Sequence, residues 1–212
     1  MKKTLVIIAS IAFFANTSNA QSEGKDYRNE LTLGLKAGVN SSNVYDSQGE
    51  QFNADAKLGL AVGAFVAIPL GELIGVQPEI LLSQKGFQAT GVILGSPYSF
   101  TRTTTYIDVP LLFAIKPVSF ITIVAGPQFS YLVKQKDVFG TSTTNVLQEQ
   151  EFENDDVRKN TMCATLGADI NIKQLVIGTR VGWDLFKNNG DGTTTTPRYK
   201  NVWVQATLGI RF

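Results

Sequence analysis

The sequence predicts an all-β fold, an eight-stranded antiparallel up-and-down transmembrane β-barrel. Three observations lead there: eight segments in which apolar residues recur with period two, connections that alternate long and short, and an N-terminus built for export. Period-two alternation is the mark of a strand whose two faces meet different surroundings.

The clearest segment is the last, where Val202, Val204, Ala206, Leu208, Ile210 and Phe212 oppose Trp203, Gln205, Thr207, Gly209 and Arg211. The first opposes Leu31, Leu33, Leu35, Ala37 and Val39 to Thr32, Gly34, Lys36, Gly38 and Asn40. In the second, Leu58, Leu60, Val62, Ala64, Val66 and Ile68 face away from Gly59, Ala61, Gly63, Phe65 and Ala67. The third sets Val76, Ile80 and Leu82 against Gln77, Glu79, Ser83 and Lys85, and the fourth sets Ile107, Val109, Leu111, Phe113 and Ile115 against Tyr106, Asp108 and Pro110. The fifth pairs Ile121, Ile123, Ala125, Phe129 and Tyr131 with Thr122, Gly126, Gln128 and Ser130. Met162, Ala164, Leu166, Ala168 and Ile170 in the sixth oppose Cys163, Thr165, Gly167, Asp169 and Asn171, and in the seventh Leu175, Ile177, Val181 and Trp183 oppose Gly178, Arg180, Gly182 and Asp184. Pro78 and Pro110 count against two of these strands, because each removes a ladder donor; a local bulge at each would absorb the loss.

The connections read as long for 40–57, 86–100, 135–160 and 187–200, and short for 69–72, 116–119 and 173–174. Short turns on the periplasmic side and long loops on the outer side belong to an outer-membrane barrel. The longest apolar stretch after the N-terminus, Leu58 to Leu70, is too short for a membrane helix and contains Gly59, Gly63 and Pro69.

At the N-terminus, Lys2 and Lys3 precede an apolar run from Leu5 to Phe14, and the small residues Ser18 and Ala20 prepare a cut after Ala20. Residues 1–20 are therefore expected to be a secretory signal peptide and 21–212 a single outer-membrane β-barrel domain. Without Lys2 and Lys3 the chain holds 17 basic and 18 acidic residues, a balance that gives no reason to expect a nucleic-acid partner. The single Cys163 excludes an internal disulfide, so stability has to come from elsewhere, and a closed sheet would supply it.

If the apolar faces look outward at lipid, the opposite faces bring Lys36, Lys85, Arg180 and Arg211 into one lumen with Glu79, Asp108, Asp169 and Asp184. Four charges of each sign suit a structural, salt-bridged network that fills an interior just wide enough for side chains. The competing reading is an ion or proton path. Phe212 lies in register with the outward stripe and is expected to serve as an assembly signal for the outer-membrane assembly machinery; an ordinary strand end is the alternative. Tyr131 and Trp183 fall where an aromatic girdle belongs, whereas Trp203 points inward.

The absence of His removes the usual hydrolase base and the commonest transition-metal ligand, and no phosphate-binding glycine loop is present. No catalytic, cofactor-binding or metal residues are expected, and no cofactor. The acidic stretch 135–160 lacks the glycine and ligand order of a calcium loop and reads as solvated surface, as do the threonine tracts 141–144 and 193–196.

Four motifs, GLKAGVNSSN (34–43), QPEILLSQKG (77–86), YIDVPLLFAIKP (106–117) and AGPQFSYLV (125–133), resemble the PorT-type family of outer-membrane β-barrel proteins. The resemblance covers most of the chain and implies an eight-stranded barrel in the outer membrane. Three functions stand open at this point: a non-enzymatic barrel that anchors or presents its outer loops, an accessory component of a protein-secretion system, and a soluble lipocalin-like ligand-binding barrel. Expected partners are outer-membrane lipid, the assembly machinery and, for the second reading, secretion-system proteins.

Overall fold

A computed structural model describes residues 26–46, 54–93, 96–141, 158–188 and 199–212. The expected signal peptide and both threonine tracts, apart from Thr141, lie outside the described residues. So does most of the acidic stretch.

Eight strands form one closed antiparallel ring in chain order: β1 (Thr32–Asp46), β2 (Ala54–Pro69), β3 (Ile74–Ile93), β4 (Ser96–Val118), β5 (Ile121–Thr141), β6 (Asn160–Ile172), β7 (Leu175–Asp184) and β8 (Tyr199–Arg211). Pairing of β1 with β8, from Gly34↔Arg211 to Asp46↔Tyr199, closes it. The alternation explains the outcome. Leu33, Leu35, Val62, Leu82, Leu111, Phe113, Leu166 and Leu208 stand exposed on the outer wall, while Lys36, Glu79, Asp108, Gln128, Asp169, Arg180 and Gln205 are buried inside it. A soluble lipocalin-like barrel requires the reverse distribution, and that reading fails here.

The short turns fall where alternation stops. β6 and β7 are joined by Lys173 and Gln174, with Lys173 in the left-handed region at φ 53°. Such a tight reversal demands a positive φ that few non-glycine residues adopt.

Three corrections concern the outer ends of the strands. The stretch 86–100 is a β-hairpin, not a loop: β3 and β4 run on and pair as far as Ile93↔Ser96. Likewise β1 continues to Asp46 and β2 starts at Ala54, inside the stretch expected as a loop, and β5 continues to Thr141. Past the lipid, the outer face meets water, so the apolar stripe that signals a strand disappears although pairing continues. Threonines at 101 and 103–105 keep the β-branched character that suits a pleated surface.

The prolines also behave differently from expectation. Register is the same on either side of Pro78 (Phe65↔Glu79 and Ile68↔Val76) and of Pro110 (Pro110↔Gln128 and Phe113↔Ala125), so neither is accommodated by a bulge. The ladder skips a few pairs and resumes. Irregularities fall elsewhere, between Ala56 and Ala61, between Thr105 and Tyr106, and between Ile115 and Val118.

Leu111, outward and 54 % exposed midway along β4, tests the lipid-facing assignment. Leu111→Arg is expected to destabilise the barrel by about 2–4 kcal/mol in phospholipid vesicles, measured by urea unfolding. An unchanged midpoint would place that face away from lipid.

Candidate functional site in the barrel lumen

Charged side chains inside the ring gather in two layers. Nearer the short turns, Lys36 of β1, Glu79 of β3, Asp169 of β6 and Arg180 of β7 meet across the lumen. The Lys36 ammonium contacts the Glu79 carboxylate directly. Arg180 donates to both Asp169 oxygens, at 2.7 and 2.9 Å, and lies 3.3 Å from Glu79. Gln77 donates to Glu79 at 2.9 Å and to Asp169 at 3.3 Å, tying the two acids together. Two cations and two anions from four strands thus satisfy one another, and the planar guanidinium supplies the bidentate geometry that an ammonium lacks.

Glycine makes the room. A Cβ at Gly178 would strike Thr207 Oγ1 and Asp169 Oδ1, and one at Gly167 would strike the Thr179 backbone oxygen and the Arg180 side chain itself.

Nearer the long loops, Lys85 of β3 sits 3.0 Å from Asp108 of β4. The Ser83 and Ser130 hydroxyls each donate to Asp108 at 2.5 Å. The Lys85 ammonium also lies 3.8 Å from the centre of the Trp203 ring and 4.9 Å from that of Tyr106. Two ring faces replace part of the hydration a buried ammonium has lost. Gly182, across from Trp203, leaves space for the indole. The inward Trp203 that breaks the girdle pattern is thus one wall of the Lys85 box.

Asp184 lies in the same upper region, and among the described residues no cation lies within ion-pairing distance of it. It accepts from Cys163 Sγ at 3.2 Å, the Asn201 backbone N at 3.0 Å, Asn201 Nδ2 at 2.6 Å and Asn188 Nδ2 at 3.4 Å. Neutral donors satisfy this carboxylate and bind the ends of β6, β7 and β8 together.

Arg211 stands apart from both layers. It ends β8 at the short-turn mouth, donates Nε to Lys173 O at 2.9 Å and covers the Tyr27 ring at 4.2 Å. Phe212 donates its backbone N to Leu33 O at 2.8 Å and holds an exposed ring at the same edge. Tyr131 and Trp183 stand on the outward face.

Above the ionic layers is a group that sequence reasoning missed. Phe87, Val44 and Ala89 pack with Phe100 and Tyr199 across the mouth. Arg102 holds Asp137 bidentately at 2.8 and 2.6 Å and donates to Tyr199 Oη at 2.8 Å. Extending the period of β4 outward by six residues from Asp108 would have found Arg102. Asp137 had no such signal, because one extra residue at Val133 shifts the β5 register between Tyr106↔Leu132 and Thr105↔Lys134.

Replacing one member of a buried pair strands the other. Asp108→Ala is expected to cost about 3–5 kcal/mol in detergent unfolding, and the double change with Lys85→Met is expected to recover much of that. Additive losses would show that the pair is not coupled.

Comparison with known proteins agrees with this architecture. A search of curated proteins finds no match. Among solved structures, Ail of Yersinia pestis, solved in complex with the heparin analogue sucrose octasulfate, is similar at a TM-score of 0.50 and 11 % identity over 86 % of this chain and 99 % of that one. Neisserial surface protein A gives a TM-score of 0.46 at 6 % identity, over 85 % of this chain and 97 % of that one. OprG of Pseudomonas aeruginosa gives 0.35 at 14 %, over 86 % and 94 %. At these identities the likeness to Ail speaks for the fold alone. The model of the outer membrane protein beta-barrel domain matches residues 18–188, and with its closed eight-stranded ring and apolar outer wall the chain belongs to that family of outer-membrane proteins.

Proposed function

We propose that this protein is a non-enzymatic outer-membrane barrel whose lumen is plugged by its own charged side chains, and that it acts through what it holds at the outer surface. The observation that carries this reading is the pair of ionic layers, whose members come from β1, β3, β4, β6 and β7 and are buried on all sides. An ion crossing the barrel would have to break pairs that stabilise one another in a medium of low dielectric. Catalysis is disfavoured by the same arrangement: the chain has no His, and the lumen carboxylates are spent on Lys36, Lys85, Arg180 and neutral donors.

With the lumen sealed, the outer ends of β3, β4 and β5 and the connections above them are the parts free to engage a partner. Export through residues 1–20 and recognition of Phe212 by the assembly machinery complete the proposal. Purified protein in planar bilayers is expected to show no steady open channels, and sustained conductance in the unaltered protein would overturn the plug.

The four motifs similar to the PorT-type family favour a second reading, an accessory role in protein secretion. That role predicts copurification with other membrane subunits in mild detergent and loss of exported cargo on deletion. Normal export after deletion would remove it.

A further inference from the structure

Both carboxylates of the lower ionic layer are taken by Lys36 and Arg180, and two further cations stand at the short-turn mouth. Lys116, on β4, is buried at 6 % exposure. Its ammonium has three N–H groups and donates to the backbone oxygen of Arg28 at 2.9 Å. Arg211 gives its Nε to a backbone oxygen and its face to Tyr27. Asp26 and Glu30 attract Arg211 through space, and Asp26, itself paired with Arg28, attracts Lys116.

Both side chains line one cavity of about 20 Å³, which also touches Thr122 and Asn171. Asn171 Nδ2 donates to Thr122 Oγ1 at 3.0 Å, so the threonine hydroxyl keeps its own proton to give elsewhere. Asp169 reaches the same cavity, but Arg180 and Gln77 occupy its oxygens. The turn Tyr27–Asn29 lies over the opening, held by the Lys116 and Arg211 contacts and by Asn29 to Glu72 at 3.4 Å.

A buried ammonium with one acceptor is costly, and a neighbouring guanidinium adds to the cost. The cavity has room for a water-sized body. A monovalent anion there would offset one of the two charges and be attracted by both.

We propose that this cavity binds one monovalent, halide-sized anion, held by the Lys116 ammonium, the Arg211 guanidinium and the Thr122 hydroxyl beneath the Tyr27–Asn29 turn. The anion lowers the positive charge at the short-turn mouth and fastens the N-terminal turn to the barrel. Lys116, Arg211 and Thr122 belong to neither ionic layer, although Asp169 and Gln77 of the lower layer also line the cavity.

The test is ³⁵Cl and ⁸¹Br line broadening by the purified full-length barrel in non-ionic detergent. The unaltered protein is expected to give excess broadening that saturates with halide. Lys116→Met and Arg211→Gln are each expected to weaken that binding about tenfold or more. Lys116→Met removes an uncompensated buried charge and is expected to fold. Thr122→Val, which keeps both cations, is expected to weaken binding less. In crystals grown with bromide, anomalous density between Lys116 and Arg211 is expected. Broadening that never saturates, broadening equal in all variants, or a bromide-free cavity holding only water would each overturn the proposal.

Discussion

Closure of the sheet is the constraint from which the rest of the molecule follows. Lipid offers no hydrogen bonds, so a strand in it must find partners on both sides, and only a ring provides them for every strand. Here the β1 to β8 pairing completes the ring. Once it is closed, every strand has one face toward lipid and one toward a lumen about as wide as the side chains that fill it. The outward leucines, valines and phenylalanines, exposed to an extent that would be a liability in water, are the consequence on one side. The crowded polar interior is the consequence on the other.

That interior solves the problem of buried charge in three ways. Lys36, Glu79, Arg180 and Asp169 neutralise one another in a chain of ion pairs. Among the described residues Lys85 has a single carboxylate partner, Asp108, and makes up the difference with two aromatic faces. Asp184, with no cation in contact among the described residues, relies on amide, backbone and thiol donors. Each solution needs groups from several strands at once, so the interior reports whether the ring has formed in the correct register. A slip by one residue would turn the charges toward lipid and the leucines inward.

Toward the long loops the sheet outgrows the membrane. β3, β4 and β5 continue as a three-stranded extension, braced by the Arg102, Asp137 and Tyr199 contacts and by the packing of Phe87 on Phe100 and Tyr199. This gives the outer surface a built platform where a plain barrel would carry loops alone. The bulge at Val133 marks the change of regime. Below it the β5 face follows the lipid pattern, and above it Asp137, not Lys136, faces Arg102.

Fold class, strand count, the inward set from Lys36 to Asp184 and the short turns at 69–72 and 173–174 were legible in the chain, because in lipid each is written as a period of two with a polarity contrast across it. Leu112, Val124 and Leu132, apolar yet buried inside, were not assigned, since an inward leucine leaves no contrast to read. Strand continuation to Ile93 and Ser96 was invisible for the same reason, water having replaced lipid outside. Arg211 shares the parity of the inward residues but sits at the rim, where position along the barrel axis decides its partners and alternation says nothing of that position. Which acid meets which base, the Trp203 face offered to Lys85, and the meeting of Lys116 with Arg211 all join residues far apart in the chain. They depend on inter-strand register and bulges, and those are set by packing and hydrogen bonding across the whole ring, not by any local run of residues.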